Sequence, residues 1–319
     1  MKKITHLLFF FLIIIGTGHL FAQENYFTVL AAQGEISLKK INVKGWVDLK
    51  TGDKINSGEK LKVGSNSYIG LLYSSGISTE IKTEGIYDFD RIKNSTKNTF
   101  KSPNKKFADY VFNQLTKKAE ESGEMKSMGA VVRQRANFIE AGIPFSFLAI
   151  DSNIVFKWYP VFTSSHGISD STYYIFKLTN NKNVTLFMKV LADTVFNCSI
   201  NSFHLTKGET YKWIVLDYNN SKFSSDTNYI MIPSSGKLDA IRDSINELNS
   251  NFGSDSTAIT QIIYASFYQN NQLNIQALDA FRTAEQLAPD VEIYKKMFAE
   301  FLLSIKLTRM IDYNGIGGE

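Results

Sequence analysis

Apolar residues recur in twos through most of this chain and in threes and fours near its end. That change of period divides it into β-rich and helical parts. Between residues 131 and 232 the alternation is explicit. Ile154, Phe156 and Trp158 fall on one face of a strand, as do Tyr174, Phe176 and Leu178, then Leu186, Met188 and Val190. Phe196, Cys198 and Ile200 repeat the pattern, as do Tyr211, Trp213 and Val215. Each set predicts a strand with one buried face. Turn residues fall at Asn180 to Asn183 and at Lys207-Gly208, and about seven such strands in this length predict a β-sandwich. The 15 Tyr, 24 Phe and 3 Trp suit β-rich cores.

The stretch 24–92 reads as an earlier, separate β-module. Strands are predicted over 27–32, 35–39, 45–49, 67–73, 77–81 and 85–92. Between them lie Thr51-Gly52-Asp53, Asn56-Ser57-Gly58, Val63-Gly64-Ser65-Asn66 and Ser74-Ser75-Gly76, where glycine supplies the positive φ of tight turns. Gly34 leads the strand Glu35-Ile36-Ser37-Leu38, followed by Trp46, Leu49, Gly52-Asp53, Ile55, Gly58, Leu61, Ser67 and Leu71. This order resembles the FecR-like domain, an extracytoplasmic β-module of bacterial envelope proteins, with Gly34, Trp46, Gly52, Asp53 and Gly58 as its structural signature. The next hairpin departs from the family pattern: it reads Ser75-Gly76-Ile77 where the family has Asp-Gly-Ser. In the later β-segment, 131–232, the runs Phe156-Lys157-Trp158-Tyr159-Pro160-Val161 and Gly208-Glu209-Thr210-Tyr211-Lys212-Trp213 resemble fibronectin-III or immunoglobulin-like modules.

Between these β-segments, 93–130 is a basic linker. Residues 91–135 hold eleven Lys or Arg against four Asp or Glu, a local balance of +7, which leaves the rest of the chain at −3. Residues 93–106 read as a polar loop. Phe107, Val111, Leu115 and Ala119 then recur at four-residue spacing, predicting an amphipathic helix that docks on a neighbouring domain. Contact with anionic envelope polymers, lipid headgroups or an acidic partner is one reading of the lysines; a solvated linker is the other, favoured because they are spread out.

From 237 to 310 the pattern is helical, with 311–319 as a tail. Leu238, Ile241, Ile245 and Leu248 mark one helix, stopped at Asn249 to Gly253. Residues 257–270, 275–288 and 291 to about 310 mark three more. Ala265, Tyr268, Ala277, Phe281, Ala284 and Pro289 fall at the relative offsets of the tetratricopeptide repeat, a helix–turn–helix of 34 residues. The alanines permit close helix approach, the aromatics fill the gap, and Pro289 stops the second helix because it lacks an N–H. Only one such repeat is complete, and about three are needed for independent stability. The unit must therefore pack on the sandwich or on a partner.

The chain opens with Lys2 and Lys3, an unbroken apolar run over 7–15, then Gly16, Gly18 and Ala22 before Gln23. That is the order of a secretory signal peptide over 1–22, and the apolar run is too short for a spanning helix of about 20 residues. The expected location is periplasmic or secreted, with retention as an anchor the alternative. Cleavage would take both lysines and lower the net charge from +4 to +2, too little to imply a nucleic-acid partner. The single cysteine, Cys198, cannot form an intramolecular disulfide, so packing must hold the fold.

Familiar catalytic patterns are missing from the sequence. His166 and His204 read as loop residues, and Cys198 as a core thiol because it shares a face with Phe196 and Ile200. Two carboxylate pairs are candidates for glycan chemistry, which needs carboxyl groups about 5–9 Å apart. Asp88 and Asp90 are placed on alternate positions of one strand, and Glu80 and Glu84 on either side of a turn. Neither pair is tied to a cleft, and exposed carboxylates on an antiparallel sheet are ordinary. Trp46, Tyr68, Tyr73 and Tyr87 could stack on sugars or simply pack.

The expectation is therefore a multidomain, non-enzymatic envelope protein with no cofactor and no metal. It would bind or scaffold another envelope protein, with a polysaccharide or anionic polymer as a further partner class. A signal-sensing or regulatory role is the alternative, and a polysaccharide-processing enzyme ranks behind it.

Overall fold

The computed structural model describes residues 25–95, 139–160, 173–252 and 257–313. The segment read as a signal peptide, nearly all of the basic linker with its amphipathic helix, and His166 lie outside the described residues.

The first module holds β1 (Tyr26–Gln33), β2 (Ile36–Lys39), β3 (Val47–Asp48), β4 (Lys54–Asn56), β5 (Lys60–Val63), β6 (Tyr68–Tyr73), β7 (Ser78–Ile81) and β8 (Gly85–Asp88). They form two four-stranded antiparallel sheets, β4-β1-β6-β7 and β3-β2-β5-β8. Phe27, Val29, Leu38, Ile55, Leu61 and Leu71 fill the space between them and are fully buried. Two residues of the glycine-led pattern meet at one turn. Gly34 has φ 85°, a Cβ there would lie 2.5 Å from Ser67 Oγ, and that oxygen accepts the Glu35 N–H at 2.9 Å. Gly52 and Gly58 also take positive φ in their turns, and Asp53 Oδ2 accepts the Lys50 N–H at 2.7 Å.

Three expectations change here. Strands β4 and β5 were not anticipated. The strand predicted over 85–92 stops at Asp88, and helix α1 (Phe89–Ser95) follows, taking in the start of the predicted loop. Phe89 and Ile92 are both buried; three residues apart, they share a face on a helix but not on a strand. Trp46, placed by the sequence on a strand over 45–49, lies instead on the hairpin tip before β3 and is 41% exposed.

The second module is a β-sandwich of β9 (Ile139–Ala141), β10 (Ser146–Leu148), β11 (Asn153–Pro160), β12 (Tyr174–Thr179), β13 (Thr185–Leu191), β14 (Val195–Ser199), β15 (Thr210–Asp217) and β16 (Asn228–Met231). A five-stranded sheet, β10-β16-β15-β12-β13, faces a three-stranded sheet, β14-β11-β9. The β10–β16 pair is parallel and the others are antiparallel. Phe156, Trp158, Phe176, Leu178, Trp213 and Val215 are fully buried. Phe156 sits 4.7 Å from Phe176 and 5.0 Å from Trp213 between ring centroids, an edge-and-tilt packing suited to aromatic quadrupoles.

The helical unit comprises α2 (Ser235–Phe252), α3 (Ala258–Asn270), α4 (Asn274–Leu287), α5 (Glu292–Ser304) and α6 (Arg309–Tyr313). Helix α2 runs through the cluster predicted to stop it, because Phe252 continues its apolar stripe and is buried. The helix predicted from 291 to about 310 is two helices. Lys306 takes φ 61°, its N–H bonds to Leu303 O, and the Leu307 N–H reaches back to Leu302 O. That double bond pattern is a Schellman stop. Gln272, at φ 62°, ends α3 with the same pattern, 34 residues earlier. Helix α6 extends to Tyr313, into the expected tail.

Ala265, Ala277, Ala284 and Phe281 are buried where α3 and α4 meet, Tyr268 is partly buried beside them, and Pro289 sits in the turn beyond α4. One apolar cluster spans all three parts. It joins the helices to Leu30, Ala31, Tyr68 and Leu72 of the first module and to Leu148 of the sandwich. The helical unit thus leans on both β-modules.

Candidate interaction surfaces

The contact between the helices and the first module is built around one carboxylate. Glu80, on β7, accepts from the Tyr68 hydroxyl at 2.9 Å and from the Ala258 N–H, at the start of α3, at 3.1 Å. Two residues on, Lys82 pairs with Glu80 at 2.9 Å and donates to Leu287 O, at the end of α4, at 2.9 Å. Antiparallel helices present an N-terminus and a C-terminus side by side. An acid on β7 and a base just past its end complement both ends. The Tyr68 and Tyr294 hydroxyls lie 3.0 Å apart, and burial pushes both phenols well above their usual range. Gly70 leaves room for this contact, since a Cβ there would lie 3.2 Å from Tyr294 Oη. The pair Glu80 and Glu84 is thereby separated by role: Glu80 belongs to this network, and Glu84 is exposed.

On the sandwich side, two helix ends dock through their backbones. Gln272 O accepts the Leu148 N–H at 2.9 Å, and Ile305 O accepts the Phe145 N–H at 3.2 Å. Asn274 adds a bond from Nδ2 to Ser146 O at 2.7 Å.

The residues weighed for catalysis are dispersed. Asp88 ends β8 while Asp90 lies in the first turn of α1, so they do not share a strand face. They do line a shallow depression of about 540 Å³ with Gly58, Glu59 and Arg91, which corrects the reading that no cleft is near them. Glu59 and Asp88 are engaged structurally. Glu59 Oε2 accepts the Asn56 N–H at 2.7 Å, and Asp88 pairs with Lys60 at 3.0 Å. His204 terminates a 3-10 turn at φ 51° and is exposed. Cys198 is half-buried against the sandwich core, and burial pushes its thiol up to about 11 against the opposing pull of Lys189. Tyr68 and Tyr73 are buried and Tyr87 is half-buried, so only Trp46 of the aromatics weighed for sugar stacking is open. Among the described residues there is no group of three or more His, Cys, Asp or Glu placed to hold a metal. No described helix is long and apolar enough to cross a membrane.

The largest departure from sequence reasoning is β13. Leu186, Met188 and Val190 were predicted to face the core, yet they are 43%, 62% and 48% exposed. Phe187 and Leu191 point inward instead and pack on the sandwich core. Both faces of this strand carry apolar residues, so alternation alone could not choose, and Lys189 favoured the wrong answer. Its stem runs along the inner face at the sheet edge and its ammonium reaches 5.1 Å from the Phe196 ring centroid.

The outer face continues across the sheet. Val190 lies opposite Ile175, which lies opposite Leu216; Met188 lies opposite Lys177, which lies opposite Ile214. Tyr173 and Tyr218 extend it beyond the strand ends, their rings 6.2 Å apart and both about half exposed. Scattered apolar residues on a surface are ordinary, but the row Val190, Ile175 and Leu216, flanked by Met188 and the two tyrosines and bordered by Lys177, is a clustered apolar patch of the kind that marks an interaction site.

Fold and surfaces together define a multidomain chain: a β-rich module and a β-sandwich held together by a helical unit, with an apolar face left open on the sandwich. Neither a family model nor a curated protein matches the sequence. Among solved structures, the chain is similar to the chicken CNTN1 FN1-FN3 domains at 11% identity and a TM-score of 0.21, over 66% of this chain and 57% of that one. The chain thus spans less than two thirds of the length of that structure.

Proposed function

We propose that this is a non-enzymatic, exported protein of the bacterial envelope that scaffolds a protein partner on the outer face of its sandwich. The observation that carries the reading is the open apolar face of β12, β13 and β15 on a rigid aromatic core. The helical unit acts as the brace between β-modules, so recognition falls to the sandwich rather than to the packed helix faces. Three finer assignments belong to this proposal. The first module is FecR-like, supported by the meeting of Gly34 with Ser67. The sandwich is fibronectin-III or immunoglobulin-like, supported by Tyr211, whose hydroxyl accepts the Thr206 N–H at 2.8 Å just upstream of its strand, as a tyrosine corner does. The helices are tetratricopeptide-like, supported by the 34-residue recurrence of the left-handed stop at Gln272 and Lys306.

The test is site-specific photocrosslinking in intact cells, with the reactive group at Met188 and, as control, at the exposed Asp243. A discrete protein adduct from Met188 alone, lost on Leu186→Glu with Val190→Glu, is the expected result. Equal labelling from both positions, or an adduct indifferent to the glutamates, refutes the proposal. Fractionation with N-terminal sequencing tests export: an intact 1–22 segment on cytoplasmic protein would refute it.

A further inference from the structure

The hairpin tip between β2 and β3 carries a second exposed feature, on the other β-module. Ile41, Val43 and Trp46 are 67%, 43% and 41% exposed within one short loop, and Val47 follows at 37%. Lys39, Lys40 and Lys44 are interleaved with them and all are exposed; Asp48 is the acid among these residues. None of the ion pairs among the described residues engages these three lysines. An isolated exposed side chain needs no explanation, but three large apolar ones ringed by lysines form a defined chemical surface. A protein-facing patch core is depleted in lysine, whereas an interfacial membrane contact combines an apolar tip, a tryptophan and a lysine collar.

The tip is also placed at a particular pole. Tyr26, where β1 begins, pairs with Asn56; the adjacent turn holds Gly58, whose Cβ position lies 3.1 Å from Ile41 Cδ1. The start of β1 therefore lies at the same pole of the module as the tip. Depth is limited by the acids around the depression beside Gly58, where Asp90 lies near Arg91 and Asp88 is paired with Lys60.

We propose that the Lys39–Val47 tip is an interfacial anchor that docks the first module on an anionic phospholipid surface, with Ile41, Val43 and Trp46 in the headgroup boundary and the lysines against lipid phosphates. This goes beyond the sandwich-face reading and lies on a different module, so either can fail alone.

Trp46 supplies the reporter, because Trp158 and Trp213 are fully buried. The experiment titrates residues 23–319, which keep all three described cores, with vesicles of phosphatidylglycerol and phosphatidylcholine in equal parts, and with phosphatidylcholine alone. The expected result is a blue shift and bromolipid quenching of tryptophan emission with the anionic vesicles only. Each lysine near an anionic surface is worth roughly fivefold in affinity, so Lys39→Ala, Lys40→Ala and Lys44→Ala together should weaken binding about a hundredfold. Ile41→Ser with Val43→Ser should abolish quenching while thermal unfolding stays as in the parent. No anionic preference, binding unchanged by either variant set, or a shift caused by an envelope protein or polysaccharide but not by vesicles overturns the proposal.

Discussion

Replacing Glu80 by Ala should separate the mechanical roles of the two β-modules. The carboxylate accepts one hydroxyl and one backbone N–H from groups that are otherwise enclosed, and its side chain is 13% exposed. Hydrogen bonds to a charged acceptor contribute about 1.5–3 kcal/mol each when buried. The Tyr68 hydroxyl can turn toward Tyr294 once Glu80 is gone, and water can enter the vacated edge, so the two losses will not be fully realised. The Lys82 pair, with the lysine side chain 45% exposed, adds at most about 1 kcal/mol. A net cost of about 2–4 kcal/mol follows, against about 1 kcal/mol for Glu80→Gln, which keeps an acceptor in place. Urea unfolding should show the loss, and hydrogen exchange should localise it to the Ala258 amide and the first turns of α3, with the sandwich strands unaffected. Glu84→Ala is the control, since Glu84 is exposed on the same hairpin. If Glu80→Ala and Glu84→Ala cost the same, the inter-module network is not what joins the first module to the helices.

Gln272→Gly should stabilise the protein by about 0.5–1 kcal/mol, because an exposed glutamine is held at φ 62° and the bond from Leu148 uses only the backbone oxygen; a lower melting temperature would contradict this. Cys198, its thiol raised by burial to about 11, should alkylate roughly tenfold more slowly than an ordinary cysteine at neutral pH, the fall in thiolate fraction being partly offset by its higher nucleophilicity, and at the ordinary rate in urea; fast native alkylation would refute the packing. Trp213 is fully buried and its Nε1 has no hydrogen-bond partner, so Trp213→Phe should cost far less than the roughly 3–5 kcal/mol of Trp213→Ala. Equal costs in denaturant titrations would show that the indole N–H is engaged.

Local chemistry was legible in the sequence. The alternation that marks Phe156, Phe176 and Trp213 depends on neighbours two residues away, and the turns at Gly34, Gly52 and Gly208 depend on a backbone freedom the residue itself carries. The offsets from Ala265 to Pro289 placed helices α3 and α4 for the same reason: they record contacts between segments close in sequence. The packing of the helical unit on a neighbour was also expected, because its few helices expose apolar stripes they cannot bury alone. The candidate surface was not legible in this way. Leu186, Met188 and Val190 were read as core because burial of a strand face depends on what lies across the sheet, and that is decided by residues far along the chain.

Trp46 and Glu80 make the same point in opposite directions. The sequence leaves Trp46 open between packing and an exposed role and reads Glu80, a glutamate beside a turn, as exposed; the structure exposes the first and encloses most of the second. The sequence by itself determined the order of the three parts, their periods and most of their turns, because these follow from propensity and spacing over a few residues. Only the tertiary structure decided that Glu80 caps a helix 178 positions away in the chain, that the helices brace both β-modules, and that the outer face of β13 is left open. Those outcomes rest on long-range pairing, where side chains are buried or exposed according to which surfaces meet.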